Sequence, residues 1–353
     1  MAYTTIDDPS AHFQTAIYTG NGDHGHAITN DGNSDLQPDL LWIKNRGRAE
    51  SNVIYDTSRS TSGGDMHMIF PDLTLVEAVD GDGSASSFDS DGFTVGANAY
   101  RANYDGDTFV GWQWKANGGS TSSDTNGNLT STVQANTTAG FSIVTFDMDG
   151  LSGDKTIGHG LGKVPGVIIF KNREDARNWA IHHHSHDPPQ YMVFDNDAVA
   201  SSDNFNNSTD PTSTVFSLEV SWHGAHENIA YCFAEIQGYS KFGIYTGNGN
   251  VDGAFVYTGF KPAWVLIKNS GADGFNWVLQ DTTRSPFNLA DNKLNPDSSA
   301  AEQTDYDKID ILSNGFKARV ADAGCNADAS TYIYMAFAEQ PFVTSSGVPA
   351  TAR

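Results

Sequence analysis

The densest reactive grouping in the chain is His182-His183-His184-Ser185-His186, with Asp187 next. Imidazoles this close are the ligands of transition metals, and His182, His184 and His186 are the candidate set. The spacing matches no standard structural zinc pattern, and the competing reading is a strand end entering a polar loop. Acidic glycine loops at Asp80–Gly83, Asp89–Gly92, Asp105–Asp107 and Asp147–Gly150 offer oxygen ligands for a divalent cation. None completes an EF-hand loop, and Asp and Gly are also what tight turns demand. No other cofactor is expected. Glycosidase chemistry needs two carboxylates flanking a cleft, for which Glu235 and Glu339 are the pair to consider. The chain has no Gly-x-Ser-x-Gly elbow, Walker loop or His-Glu-x-x-His, so no catalytic residue is assigned. Trp222, Tyr100 and Tyr104 lie in loop-like sequence, where aromatic faces stack on sugars.

The chain carrying these groups has 353 residues and a net charge of −23. So acidic a surface repels phosphate backbones and anionic lipid, which excludes nucleic acid as the expected partner. No apolar run reaches the roughly 20 residues of a membrane helix, so no membrane insertion is expected. Met1–Asp8 has neither the basic start nor the apolar centre of a signal peptide, so synthesis in a cytoplasm without that export route is expected. Cys232 and Cys325 are too few and too far apart for a disulfide framework.

A repeat organises the sequence. Proline, five residues, then Lys-Asn occurs as Pro38…Lys44-Asn45, Pro165…Lys171-Asn172 and Pro262…Lys268-Asn269. The residues between read as a buried strand each time. Tyr-Thr-Gly-Asn-Gly occurs at Tyr18–Gly22 and Tyr245–Gly249, where Asn-Gly is a hairpin signal. Asp56-Thr-Ser-Arg59 and Asp281-Thr-Thr-Arg284 recur as turns in which Asp and Arg could pair. The last strand of each unit alternates: Val110, Trp112, Trp114; then Ile229, Tyr231, Phe233; then Ile333, Met335, Phe337. A period of two puts each triplet on one face, and core is the expected place for it. The expectation is all-β, with three tandem β-sandwich domains of jelly-roll or lectin-like type. Copy one spans 1–116, copy two 137–237 and copy three 238–343. The Gly/Ser/Thr/Asn segment 117–136 reads as a flexible or loosely packed linker, and 344–353 as a polar, peripheral tail. Copies two and three abut with no linker and should be rigidly coupled.

Tyr-Thr-Gly-Asn-Gly, Pro-x5-Lys-Asn, the Phe-Ala-Glu strand ends at 233–235 and 337–339, and Tyr239-Ser-Lys-Phe-Gly together resemble a repeat family. It is found in tail-fibre-like and other virion proteins of marine bacteriophages, and the resemblance spans about Ser10 to Val343. It implies an external virion component with other virion proteins as partners and implies no catalytic residue. The expected function is an appendage or fibre module whose loops meet a host-surface glycan, with a homotrimer favoured for avidity. The alternatives are a capsid-decorating, head-fibre or tail structural protein and a polysaccharide-degrading enzyme of a tail appendage.

Overall fold

The computed structural model describes residues 2–59, 66–79, 85–97, 99–186, 190–198, 205–206, 208–224 and 226–351. Alternation of apolar residues along short segments makes strands, and these assemble into antiparallel sheets, as the all-β expectation requires. Three sheets share one strand order. The first runs Phe13–Thr19, Thr108–Trp114, Leu40–Asn45, Val53–Asp56. The second contains Phe141–Asp147, Glu227–Phe233, Val167–Asn172, Ala180–His183, and the third is Ser240–Thr246, Thr331–Pro341, Phe260–Asn269, Val278–Asp281. Their registers agree residue for residue: Trp42 faces Trp112, Ile169 faces Tyr231 and Leu266 faces Met335.

Each sheet is buried on both faces. One face covers a local core, such as Leu41, Ile43, Tyr55, Phe93 and Phe109 in copy one. The other face, carrying the alternating triplets, turns inward to a core that all three copies share. Trp114, Phe233 and Phe337 meet there, with ring centroids 5.6, 5.8 and 6.4 Å apart. The three sheets therefore surround one axis. Truncating a buried ring of this size costs about 3–5 kcal/mol.

Two expectations are corrected. Segment 117–136 carries the strands Ser122–Asp124 and Ser131–Asn136, which extend the second sheet beyond Phe141–Asp147. Its Ser/Thr content suits an edge strand, and Val133 and Gln134 are buried. Gln134 donates to Thr57 and Ser58 of copy one and accepts from Asn117 and Gly119, which ties the segment down. Pro262 does not precede its strand but lies within it, at a register shift where a missing N–H is tolerated.

Candidate functional site

The seams between copies explain the repeat's polar residues. Lys44, Lys171 and Lys268 are almost wholly buried. Each ammonium reaches a carbonyl of its own copy, at Glu50, Arg177 and Phe275, and one of a neighbour, at Ser299, Thr74 and Asp197. Burial lowers Lys44 and Lys171 to about 8 and raises the nearby Asp72 and Asp195 to about 6 and Asp297 to about 7. The Asp-x-x-Arg turns lie on the same seams. Asp56 holds Arg59 at 2.6 Å and accepts from Tyr231 of copy two at 2.7 Å. Asp281 holds Arg284 at 2.6 Å and accepts from Trp112 of copy one at 3.0 Å. Glu77 and Glu302 extend these pairs across the seams to Arg173 and Arg46. Burial alone would raise Glu77, but hydrogen bonds from Arg173 and the Arg59 charge bring it to about 2.

The histidine run occupies the equivalent place in copy two. His183 pairs with Val167 as Asp56 does with Leu40 and Asp281 with Trp264. His186 thus stands where the arginines do. Across this seam stands Met335, which has no proton to donate where Trp112 and Tyr231 do. His183 and Met335 line one small apolar void. Burial takes His183 down to about 3 and His182 to about 4. His182 and His183 are successive strand residues and point to opposite faces, while His184 meets the Phe242 carbonyl at 3.2 Å. His182, His184 and His186 are not brought together: among the described residues, no three His, Cys, Asp or Glu side chains form a group that could hold a metal ion.

The acidic loops serve turns. Asp89 accepts from Ser87 and Thr94, Asp107 pairs with Arg48 at 2.8 Å, and Asp147 accepts from the Asp149 backbone. Residues 80–83 lie outside the described residues.

Tyr100 and Tyr104 do come together. Their rings stack at 4.3 Å and 18°, and the Arg48 guanidinium lies 5.1 and 4.7 Å from the two centroids. The loop is held by Tyr18, which donates to the Ala102 carbonyl, and by Asn45, which donates to that of Tyr100. Tyr245 does the same for Cys325, so Tyr-Thr-Gly-Asn-Gly is a loop anchor. Gly20 is needed because a Cβ there would lie 2.3 Å from the Tyr104 carbonyl oxygen. Trp222 lies in the one-turn helix Val220–His223, and its side chain lies outside the described residues.

A second surface feature escaped the sequence reading. A cleft of about 410 Å³ opens where copy two crosses into copy three, lined by Tyr3, Glu235, Gln237, Lys241, Tyr257 and Thr258 together with Gly238, Ser240 and Gly259. The N-terminal arm forms one wall. The Tyr3 hydroxyl donates to the Gly259 carbonyl at 2.7 Å, and Thr4 donates to that of Gln237 at 2.8 Å. Gly259 and Gly238 both have positive φ, and a Cβ on either would lie 2.8 Å from the arm. Asp7 then binds Ser345 of the tail. Tyr257 stands beside the arm, its hydroxyl 3.4 Å from that of Tyr3, and is 54% exposed. Glu235 is fixed between Lys241 at 2.8 Å and the Phe242 N–H at 2.8 Å. Glu339 pairs with Lys261 at 2.8 Å, so both carboxylates weighed for glycosidase chemistry hold lysines. The arm's part in this cleft could not be read from a repeat to which it does not belong.

Among known protein families, the model described as a domain of unknown function (DUF7483) matches residues 8–341. No curated protein and no solved structure matches the chain.

Proposed function

We propose that this chain, which belongs to the DUF7483 family, is an external component of a bacteriophage particle that presents a rigid surface to host glycans. The single observation that carries the glycan reading is the cleft at the copy-two to copy-three crossover, where exposed Tyr257 faces a ring of fixed polar groups. Its size falls within the roughly 300–1,000 Å³ usual for ligand sites. The Tyr100–Tyr104 pair supports the reading less, because each ring already gives a face to the other. The resemblance to virion repeat proteins supplies the location, and the acidic surface suits an exposed position.

A second reading, a decoration or tail structural protein, is favoured by one observation. Three sheets around a single axis give one chain three similar outer surfaces, which suits a three-fold position on a particle. Gold-labelled antibody on intact particles separates the two. Label at fibre tips or the tail end supports recognition, and label spread over the head supports decoration. Particles without label overturn the virion assignment.

A further inference from the structure

The cleft's chemistry narrows what it takes. Along the strand Phe255–Tyr257, Val256 turns into the local core while Phe255 and Tyr257 are 49% and 54% exposed. Residues two apart on a strand share a face and sit roughly 6.6–6.8 Å apart along it. Two aromatic rings therefore stand in file beside the cleft. The alternation turns these two positions outward, and in copy one the matching positions, Ala27 and Thr29, are exposed without carrying rings.

Charge decides among ligands that stack on rings. The cleft's one ammonium, Lys241, is neutralised by Glu235 at 2.8 Å. Among the described residues no free cation lines it, and the chain as a whole carries −23. An anionic sugar, a phosphate or a nucleotide would meet repulsion with nothing to offset it. Ser240 and Thr258 are buried and spend their hydroxyl protons on the Ala234 and Phe260 carbonyls, which leaves the neighbouring Tyr3 and Tyr257 hydroxyls, the Gln237 amide and a carboxylate whose oxygens each retain a lone pair. These suit the alternating donors and acceptors of sugar hydroxyls.

We propose that the cleft and the Phe255–Tyr257 file bind a neutral oligosaccharide, with sugar faces on the two rings and hydroxyls on Glu235, Gln237 and Tyr3. The assignment rests on the glycan reading above and names its site and ligand class. The N-terminal arm is part of the site, because Tyr3 supplies a wall that copy three lacks by itself.

The test uses the full chain and two probe sets. One holds neutral hexasaccharides of glucan, mannan and galactan; the other holds alginate and sulfated galactan hexasaccharides. Calorimetric titration is run on wild type, Tyr257→Ala, Tyr3→Phe and the double variant Tyr100→Ala/Tyr104→Ala. Binding of a neutral probe is expected, with Kd raised about tenfold in Tyr257→Ala, the worth of one ring contact. Tyr3→Phe should weaken binding less, and Tyr100→Ala/Tyr104→Ala should leave it unchanged. Tm of Tyr257→Ala should match wild type, since the ring is half exposed. Neutral binding lost only in the Tyr100/Tyr104 variant overturns the site and leaves the glycan reading standing. Binding of the anionic set alone overturns the ligand class. If neither set binds and a total host-surface glycan extract does not bind either, the glycan reading falls and the site with it.

Discussion

Asp56→Ala tests whether the seams hold the molecule together. The Asp56 carboxylate accepts from Arg59 Nε at 2.6 Å, from the Ser58 and Arg59 backbone N–H groups at 3.0 Å each, and from Tyr231 at 2.7 Å. Both Asp56 and Arg59 side chains are fully buried. Truncation leaves a guanidinium in the core with only Glu77 at 3.2 Å and the Ile54 carbonyl at 2.9 Å. It also strips the Tyr231 hydroxyl of its acceptor. Removing one partner of a buried pair costs about 3–5 kcal/mol, because a desolvated charge is left behind. Urea denaturation followed by tryptophan fluorescence should show that loss as a lower midpoint at constant slope. Asp56→Ala/Arg59→Met, which removes the orphaned charge as well, should recover a large part of it. A loss below about 1 kcal/mol for the single variant would place the pair among surface ion pairs and refute the argument.

Four further outcomes follow. Burial holds His183 at about 3 against an ordinary 6.5, so the unfolded chain binds this proton first as pH falls. The stability it contributes is complete above about 6.5 and is lost progressively toward 3. Measured against His183→Asn, which cancels contributions common to both proteins, wild type should lose up to about 1.4 kcal/mol per pH unit in that window; a flat difference between pH 7 and 4 rejects the buried imidazole. Lys171→Met should destabilise the fold by leaving the Thr74 and Arg177 carbonyls unpaired, about 1–3 kcal/mol for each acceptor left buried, read as a lower denaturation midpoint. The fragment 238–343 should bind hydrophobic dyes and self-associate, since Trp264, Leu266, Met335 and Phe337 lose their cover; a stable monomer would show that the central core is dispensable. Light scattering should return three times the 38.0 kDa chain mass for the proposed homotrimer, and a single-chain mass rejects it.

The all-β class and the sheets were legible because period-two patterns and glycine turns are local signals. Trp112, Tyr231 and Met335 announce a buried face by spacing alone. What spacing does not give is the partner. A β-strand buried on both faces reads as continuously apolar, so a local core and a shared one look alike. The Lys-Asn anchor aligned the copies without revealing its reason, because the carbonyls that hold Lys44 come from Glu50 and, far along the chain, Ser299. Segment 117–136 was misread for a related reason. Its composition is that of a linker, while its order comes from Gln134 meeting Thr57 and Ser58, residues 77 and 76 positions away. The cleft depended on the arm, whose docking onto Gly238 and Gly259 no repeat pattern encodes.

The unequal seams have a common explanation in chain connectivity. Copies two and three are joined by the short crossover Ala234–Tyr239, and Ser240 bonds back to Ile236 and Ala234 within it. Closing so short a connection fixes the two copies at little further entropic cost. The seam between copies three and one has no such tether, because the chain's two ends meet there. The seam between copies one and two spans the long 117–136 segment. These two seams carry the Asp–Arg–Glu–Arg chains of ion pairs, and on the tethered seam His183, His186 and Ser270 stand where those chains have Asp, Arg and the far Arg. Among the described residues, these buried Asp–Arg–Glu–Arg chains thus lie where covalent connection does least. The arm follows the same logic. Tyr3, Thr4 and Asp7 fasten the start of copy one to copy three and its tail, and in doing so they build the cleft wall. Ring closure and the proposed binding site therefore depend on the same residues. Deleting residues 2–5 should lower the unfolding temperature and weaken saccharide binding together, whereas Tyr257→Ala, which removes only a long, exposed 3.4 Å hydroxyl contact to Tyr3, should weaken binding with little effect on stability; equal effects of the two changes on stability would separate the arm from the ring.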